Sequence, residues 1–223
     1  MFTDFSTQIH FSRYSAVAIS EPPMHAEIRY CNVCGQPVEF RIPPGDHLPR
    51  HVCTRCGHVQ YRNPKVIVGV IPEWGDGRVL MCRRNIEPRL GLWTFPAGFM
   101  EQGETSAAGA AREAREESRA EVEVGPLLMV INVPYVSQVY MIHRGRLLSP
   151  HFGPTPESSE VVLMAESEIP WDKIAFPTIW HGLRAFFEDR RRGVWTTHVL
   201  DLTQRPRPPR QAEVPGDDPV GDA

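Results

Sequence analysis

The sequence of 223 residues lacks several features that would place it in familiar classes. It has no run of about 18 or more apolar residues, so no membrane span is expected. Its amino-terminal residues lack the basic start and apolar segment of a signal peptide. The formal charge of −3 shows no basic excess, which disfavours nucleic acid as a partner. We therefore expect a cytoplasmic globular protein with no membrane partner.

Four of the five cysteines form two close pairs in the pattern C-x2-C-x18-C-x2-C: Cys31, Cys34, Cys53 and Cys56. Two such pairs supply the four thiolates of a tetrahedral Zn²⁺ site. Two disulfides are the alternative, which a cytosolic setting disfavours. The residues between the pairs are too few and too rich in proline to fold alone, so we predict a structural zinc ribbon. The remaining cysteine, Cys82, lies in an apolar run and is predicted to be buried.

Residues 98–120, GFMEQGETSAAGAAREAREESRA, join a glycine-led loop to an alanine-rich segment. Thr105 or Ser106 is a suitable N-cap for a helix over the good helix formers that follow. Three acidic side chains then share one helix face at i, i+3 and i+4: Glu113, Glu116 and Glu117. Clustered carboxylates repel each other and suit a hard divalent cation such as Mg²⁺. Helix composition alone favours the alternative of a solvated, salt-bridged face.

The spacing of the whole segment resembles the signature of Nudix hydrolases, a glycine, five residues, Glu, seven residues, then Arg-Glu-aliphatic-any-Glu-Glu. The matching residues are Gly98, Glu104, Arg112, Glu113, Ala114, Glu116 and Glu117. The family usually has a glycine two residues after the last Glu, where this sequence has Arg119. A left-handed helix end is costlier for arginine than for glycine by roughly 1 kcal/mol. The resemblance implies an α/β/α sandwich, with a mixed sheet between helices.

The resemblance also implies the roles of the site residues. Glu113, Glu116 and Glu117 would bind Mg²⁺ or Mn²⁺ together with the carbonyl of Ala97. Arg112 would orient a ligand carboxylate and pair with Glu104, while Gly98 and Glu104 have structural roles. The general base is left open between the helix, through Glu113 or Glu116, and a later acidic loop. In that loop we prefer Glu157 and Glu160 over Glu166 and Glu168.

Candidate substrate residues lie on either side of the acidic segment. Arg83, Arg84 and Arg89 precede it and are candidates to meet phosphate oxygens. An aromatic platform for the base is expected among Trp93, Phe95, Phe99, Tyr135 and Tyr140, of which Trp93 and Tyr135 are preferred. Aromatic residues in strands more often pack in the core, which is the competing interpretation.

The chain divides into four predicted parts. Residues 1–25 are a disordered lead, residues 26–63 the zinc ribbon, residues 64–198 the Nudix domain and residues 199–223 a disordered, proline-rich tail. Within the Nudix domain, KVIVGVIPEW and RVLMCRR predict a hairpin turning at residues 75–77. A late amphipathic helix is predicted to bury Ile179, Leu183, Phe186 and Phe187.

The ribbon and several short sequence segments of the Nudix part are similar to those of zinc-ribbon Nudix proteins related to FAD and ADP-ribose pyrophosphohydrolases. This similarity implies a metal-dependent hydrolase that cleaves a nucleotide diphosphate to a nucleoside monophosphate and a phosphorylated product, and, by family analogy, a homodimer. NADH is placed behind FAD and ADP-ribose because a Ser-Gln-Pro-Trp-Pro-Phe-Pro run of NADH-hydrolysing relatives is missing. Two further functions compete with this one: a nucleotide-sensing regulator without catalysis, and a nucleoside triphosphatase.

Overall fold

The computed structural model describes residues 28–204, which begin with a small three-stranded sheet. Its strands are β1 (Val38–Arg41), β2 (Arg50–Cys53) and β3 (Val59–Gln60). The order is β1-β2-β3 and both pairings are antiparallel. Strands β1 and β2 connect the two cysteine pairs along the chain, and β3 follows the second pair. This arrangement is that of a zinc ribbon. The predicted lead of residues 1–25 lies outside the described residues.

A larger sheet and two helices follow. The strands are β4 (Lys65–Glu73), β5 (Val79–Arg84), β6 (Trp93–Thr94), β7 (Ala97–Phe99), β8 (Val122–Val133), β9 (Gln138–Leu147), β10 (Ser158–Met164) and β11 (His198–Asp201). The helices are α1 (Ser106–Ser118) and α2 (Pro177–Arg192). The strand order is β10-β5-β4-β9-β8-β11, with β6 beside β5 and β7 beside β4. The β4–β9 and β8–β11 pairs are parallel and the others are antiparallel, so the sheet is mixed.

The sheet separates two apolar cores, one under each helix. Along β5, Met81 faces the core that contains Leu183 of α2, whereas Leu80 and Cys82 face the core that contains Ala110 of α1. This alternation follows from the two-residue period of a strand. The predicted α/β/α sandwich is confirmed, and Cys82 is fully buried as predicted.

The predicted hairpin forms, but its strands separate almost at once. The Gly77 N–H donates to the Trp74 carbonyl at 2.9 Å, and the register pair is Glu73 with Val79. Beyond that pair, β4 bonds to β7 and β5 bonds to β6 instead. Strand β7 is thereby held against β4 directly before the loop that leads into α1.

Helix α2 begins with Pro177, a favoured first residue, and ends at Gly193 in the left-handed conformation with φ 65°. The four side chains predicted to be buried are at most 1% exposed: Ile179, Leu183, Phe186 and Phe187. Within residues 28–204, neither this helix nor α1 has the length and apolarity needed to cross a membrane.

The last strand corrects the predicted start of the tail. β11 covers His198–Asp201 and pairs in parallel with β8 from Met129 to Asn132. The Asn132 side-chain amide donates to a carboxylate oxygen of Asp201 at 2.7 Å. The prediction of disorder from residue 199 is therefore wrong for residues 199–201, because β8 offers them a free edge to pair with. Residues 205–223 lie outside the described residues.

Candidate functional site

The loop between β7 and α1 leads into the helix that carries the acidic segment and packs on β4. Helix α1 begins after Thr105, whose hydroxyl oxygen accepts a hydrogen bond from the Ala108 N–H at 3.1 Å. Such a cap satisfies one of the N–H groups that have no partner in the first helical turn. At the other end, Arg119 takes the left-handed conformation with φ 59°, and its N–H donates to the Arg115 carbonyl at 2.8 Å. Arginine thus adopts the helix-ending conformation for which the family usually has glycine.

Small residues let α1 approach the sheet closely. Ala110 and Ala114 are fully buried in the same core as Val68 of β4. A Cβ added at Gly109 would lie 2.6 Å from Oε1 of Glu104 and 2.9 Å from a methyl of Val68. This crowding explains a glycine inside a helix, where it costs about 1 kcal/mol relative to alanine.

The same close approach turns two glutamates inward. Glu113 is 8% exposed and Glu117 is 6% exposed, whereas Glu116 is an exposed residue. Oε2 of Glu117 accepts a hydrogen bond from the Ala97 N–H at 2.9 Å. The pKa of Glu117 is raised to about 8, first by burial and then by the negative charge of Glu113. Burial likewise raises the pKa of Glu113.

A divalent cation fits this arrangement. Buried carboxylates are stable as anions only when a positive charge compensates them, and Mg²⁺ and Mn²⁺ prefer carboxylate and carbonyl oxygens. The Ala97 peptide, whose carbonyl is the predicted fourth ligand, is joined to Glu117 by the hydrogen bond from its N–H.

Arg112 ties the loop to the helix. Its Nε and Nη2 donate to the two carboxylate oxygens of Glu104 at 3.1 and 2.8 Å, so the predicted ion pair is confirmed. These bonds hold the pKa of Glu104 at about 2. Nη1 of Arg112 donates to Glu113 at 2.8 Å and to Glu116 at 2.9 Å. Nη2 also donates to the Phe99 carbonyl at 3.0 Å. One guanidinium thus holds two of the three predicted ligand carboxylates.

Gly98 lies directly against the carboxylate of Glu113. A Cβ added at this glycine would overlap Cδ and both oxygens of that carboxylate. The predicted structural role of Gly98 therefore has a steric basis: a side chain here would displace Glu113 from the loop.

We expect Gly98→Ala to reduce turnover by about 10²-fold, since a displacement of about 1 Å in a catalytic group has an effect of this size. Steady-state hydrolysis and thermal unfolding would be measured together. Gly75→Ala is the matched control, because an added Cβ there meets nothing within 4 Å. Unchanged turnover in Gly98→Ala, alongside an unchanged control, would contradict the position assigned to Glu113.

The two preferred candidates for the general base occupy different positions. Glu157 is exposed and precedes β10, and its negative charge raises the pKa of both Glu113 and Glu117. Glu160 lies within β10, and its carboxylate is 3.7 Å from Nη1 of Arg83. The prediction that both belong to one loop is wrong for Glu160, because β10 begins at Ser158 and includes Glu160.

The other two acidic residues of this region are engaged elsewhere. Glu166 pairs with Arg191 at 2.7 Å, and Glu168 accepts the Ala165 N–H at 2.7 Å. Both contacts belong to the turn that follows β10 and to the end of α2. Glu157 is therefore the member of the acidic group that the structure brings to the helix glutamates.

The structure separates the predicted substrate residues. Arg84 donates from Nε to the Pro88 carbonyl at 3.0 Å, and its positive charge lowers the pKa of Glu117. Arg83 donates from Nε to the Gly91 carbonyl at 3.1 Å. Arg84 therefore has an electrostatic contact with the helix glutamates, whereas Arg83 is directed to Glu160 and its own loop.

The preferred aromatic platform is corrected in part. Trp93 is 8% exposed and packs in the core beneath α2, so the prediction that it stacks on a base is wrong. Its strand, β6, turns the ring inward through its pairing with β5. Tyr135 lies in a short 3-10 helix, Pro134–Val136, half-buried against the same core, and stays a candidate.

Sequence reasoning missed a cavity at the start of α2. Its volume is about 340 Å³, and Trp171, Phe176, Trp180, His181 and Arg89 are among its lining residues. The sequence suggests Arg89 only as a phosphate contact. A usable signal was present, since Trp180 follows the buried Ile179 and must lie off the apolar stripe of the amphipathic helix.

The four paired cysteines form a second candidate metal centre. The Sγ atoms are 3.5 Å apart for Cys34 and Cys53, 3.5 Å for Cys34 and Cys56, and 3.8 Å for Cys31 and Cys56. Tetrahedral Zn²⁺ with Zn–S bonds of about 2.3 Å requires separations of about 3.8 Å, so the donors fit zinc. All five cysteines of the chain are free, which contradicts the alternative of disulfides.

Backbone N–H groups stabilise the thiolate form of Cys53, the form that binds a metal cation. Cys56 and Arg55 each donate from the backbone to Sγ of Cys53 at 3.4 Å, and the bond from Cys56 is the larger cause of a lowered pKa at Cys53. Within residues 28–204, this is the one group of three or more His, Cys, Asp or Glu residues whose ligand atoms all lie within 4.8 Å of one another. The carboxylate oxygens of Glu113, Glu116 and Glu117 do not all lie within that distance of one another. Two of these carboxylates instead accept hydrogen bonds from Arg112.

Comparison with known proteins agrees with these two sites. The family model for the NUDIX domain matches residues 63–189, and the zinc-ribbon model described as Nudix N-terminal matches residues 29–62. A crystal structure of a NUDIX hydrolase from Nitrosomonas europaea is 48% identical with a TM-score of 0.76, covering 79% of this chain and 100% of that one.

Two curated relatives cover less of the chain. The NAD-capped RNA hydrolase NudC of Edwardsiella ictaluri is 36% identical over 43% of this chain, which spans 35% of that relative's length. The ADP-ribose pyrophosphatase of Methanocaldococcus jannaschii is 36% identical over 33% of this chain and 43% of its own length. The domain match, the structural likeness and the helix carrying Glu113 and Glu117 agree: the chain belongs to the Nudix hydrolase family and carries the family's N-terminal zinc ribbon.

Proposed function

We propose that this chain is a metal-dependent pyrophosphohydrolase that cleaves FAD or ADP-ribose to a nucleoside monophosphate and a phosphorylated product. The observation that carries the proposal is the meeting of the buried Glu113 and Glu117 with the Ala97–Gly98 backbone. A regulator that only binds nucleotides does not need the electrostatic cost of these carboxylates. The similarity to a protein named ADP-ribose pyrophosphatase supports ADP-ribose.

We assign the binding of Mg²⁺ or Mn²⁺ to Glu113, Glu116, Glu117 and the Ala97 carbonyl. When bound, such an ion offsets the negative charge of the pyrophosphate and lowers the pKa of a coordinated water. Arg112 holds two of the carboxylates in place, and the Ala97 N–H holds the third. The protein thereby presents its oxygen ligands in an orientation set before substrate arrives.

We assign the general base to Glu157 and expect Glu157→Gln to lower kcat by about 10²- to 10⁴-fold, the usual contribution of a positioned base. At saturating metal, the pH dependence of kcat separates this role from a structural one, because the share of the acid limb that the base supplies disappears with it. Glu160→Gln, which alters a neighbouring carboxylate paired with Arg83, is the matched control. A full acid limb in Glu157→Gln would return the role to Glu113 or Glu116.

A substrate panel tests the proposed activity. Purified protein with Mg²⁺ or Mn²⁺ would be given FAD, ADP-ribose, NADH, diadenosine polyphosphates and dGTP, and the products separated. The proposal expects AMP with FMN from FAD, or AMP with ribose 5-phosphate from ADP-ribose. Pyrophosphate released from dGTP alone would make the chain a nucleoside triphosphatase. No turnover, with a salt-sensitive DNA shift, would make it a regulator.

NADH is the second candidate substrate. The similarity to proteins named NAD-capped RNA hydrolase favours it, so NAD-capped RNA joins the panel. Preferential release of AMP and reduced NMN (NMNH) from NADH would reverse the order of the two candidates.

We propose a homodimer in which the ribbon contributes to the contact. The ribbon exposes six large apolar side chains that a contact between two copies would cover: Tyr30, Val33, Phe40, Ile42, Leu48 and Tyr61. Light scattering during gel filtration should give twice the 25.2 kDa chain mass for the native protein and a lower mass for Phe40→Ser. Val199→Ser, an exposed apolar residue of β11, is the control. A monomeric native protein would contradict the proposal.

A further inference from the structure

The cavity at the start of α2 is linked by hydrogen bonds to the strand that precedes the Ala97–Gly98 backbone of the glutamate site. Its wall at Ile174 and Ala175 is bonded to β6, since the Ala175 N–H donates to the Trp93 carbonyl at 2.8 Å. Trp93 precedes Ala97 by four residues, a span of at most about 14 Å in extended chain. A nucleotide has a comparable length, so one molecule can reach from the glutamates to the cavity.

Arg84 connects the two places through its charge. The guanidinium carbon of Arg84 is 5.2 Å from the ring centroid of Phe176, a lining residue of the cavity. Arg84 also interacts electrostatically with Glu117 on α1. A positive charge between an aromatic cavity and a carboxylate site suits the phosphate that joins the two halves of a dinucleotide.

The tryptophan rings of the cavity pack against each other and against Arg184. The rings of Trp171 and Trp180 meet edge to face at 6.1 Å, a favourable geometry for aromatic pairs. The guanidinium of Arg184 lies 5.8 Å from one ring centroid and 5.7 Å from the other. Trp180 nevertheless stays 37% exposed, so a rigid aromatic surface is offered to a ligand.

The cavity combines this surface with a few polar groups. Arg89 lines it in the left-handed conformation with φ 71°, which is uncommon for a residue other than glycine and recurs at functional sites. His181 lines the same cavity and packs against Trp180, with ring centroids 5.0 Å apart. A volume of about 340 Å³, mostly apolar walls that include three Trp or Phe rings, and a few polar groups are the usual features of a small-molecule site.

We propose that this cavity binds the planar heteroaromatic ring of the substrate, adenine or isoalloxazine, with Trp180 as the stacking surface and Arg89 directed to the adjoining ribose phosphate. The inference rests on the proposed function, since it assumes a dinucleotide or a nucleoside diphosphate sugar at the glutamate site. The inference assigns recognition of the ring to residues at the start of α2 rather than to the preferred platform of Trp93 and Tyr135.

Tryptophan fluorescence tests ring binding without turnover. The full-length protein, in buffer without Mg²⁺ or Mn²⁺, is titrated with AMP, FMN and ribose 5-phosphate. AMP or FMN should change the fluorescence, whereas ribose 5-phosphate, which has the phosphate without the ring, should bind at least tenfold more weakly. Trp180→Ala should weaken binding of the ring ligand about tenfold, the effect of losing one stacked aromatic, and Trp180→Phe should restore part of it.

Trp74→Ala is the matched control, because Trp74 lines a different cavity beside the β4–β5 turn. Steady-state kinetics supply a second readout: Trp180→Ala should raise KM about tenfold and leave kcat within about twofold. An equal rise for ADP-ribose and FAD assigns adenine to the cavity, whereas a rise for FAD alone assigns isoalloxazine. Affinity and KM that Trp180→Ala leaves unchanged would overturn the inference.

The two proposals fail in different ways. Binding of AMP or FMN that depends on Trp180, in a protein that hydrolyses neither FAD nor ADP-ribose, would remove the proposed function and keep the ring site. Hydrolysis with a KM insensitive to Trp180→Ala would keep the function and remove the ring site.

Discussion

Glu117→Gln is expected to reduce turnover by about 10³-fold or more, which matches the several kcal/mol of charge stabilisation that a catalytic metal supplies. Glutamine has the same shape, and its carbonyl oxygen can accept the Ala97 N–H that now donates to Oε2 at 2.9 Å. The fold should therefore persist, since a neutral amide replaces a carboxylate that is 6% exposed. Hydrolysis rates and circular dichroism would be measured on the same preparations.

Metal binding gives this substitution a second readout. Mg²⁺ or Mn²⁺ should raise the thermal midpoint of the native protein, because an ion that binds the folded state stabilises it by mass action. The rise should disappear in Glu117→Gln. Glu121→Gln is the matched control, since Glu121 is exposed and pairs with Arg115. Full activity in Glu117→Gln would place the metal site elsewhere.

Cys53→Ser is expected to abolish zinc binding and unfold the ribbon. Structural zinc contributes about 10–16 kcal/mol of apparent binding free energy, and in a domain this small that energy is folding energy. The apolar residues of the ribbon offer little in its place, because Val52 is its one large aliphatic side chain that is fully buried within residues 28–62. Metal content per chain should fall from one zinc to none, and amide exchange should become fast across residues 29–62.

The Nudix domain should survive the same substitution, because it has its own two cores. Amide protection across residues 63–189 is expected to stay at the native level. Cys82→Ala is the control, since Cys82 is buried in the Nudix domain, away from the zinc thiols, and should leave one zinc bound. Stoichiometric zinc in Cys53→Ser would show that the other three thiols suffice.

The parts of the site that lie close together along the chain were predictable. The pairing of Arg112 with Glu104 follows from a fixed spacing between one loop and the helix after it, and the structure confirms it. The alternating residues of β5 and the apolar stripe of α2 were also readable, because strand and helix periods decide which side chains share a face.

The errors concern contacts between distant segments. Trp93 fits a stacking platform by composition, but pairing of β6 with β5 turns its ring into the core. The early residues of the supposed tail form β11 because β8, about 70 residues earlier, has an open edge. The position of Glu157 beside the helix glutamates likewise depends on how β10 is paired, which no local pattern reveals.

By itself the sequence determined the zinc thiols, the carboxylate helix and the Arg112–Glu104 pair, because each is set by spacing within one short segment. Only the tertiary structure decided that Glu157 stands near the helix glutamates, that Trp93 is buried and that an aromatic cavity opens at Trp180. The physical reason is that these relations depend on strand order and register, which join residues through the sheet rather than along the chain.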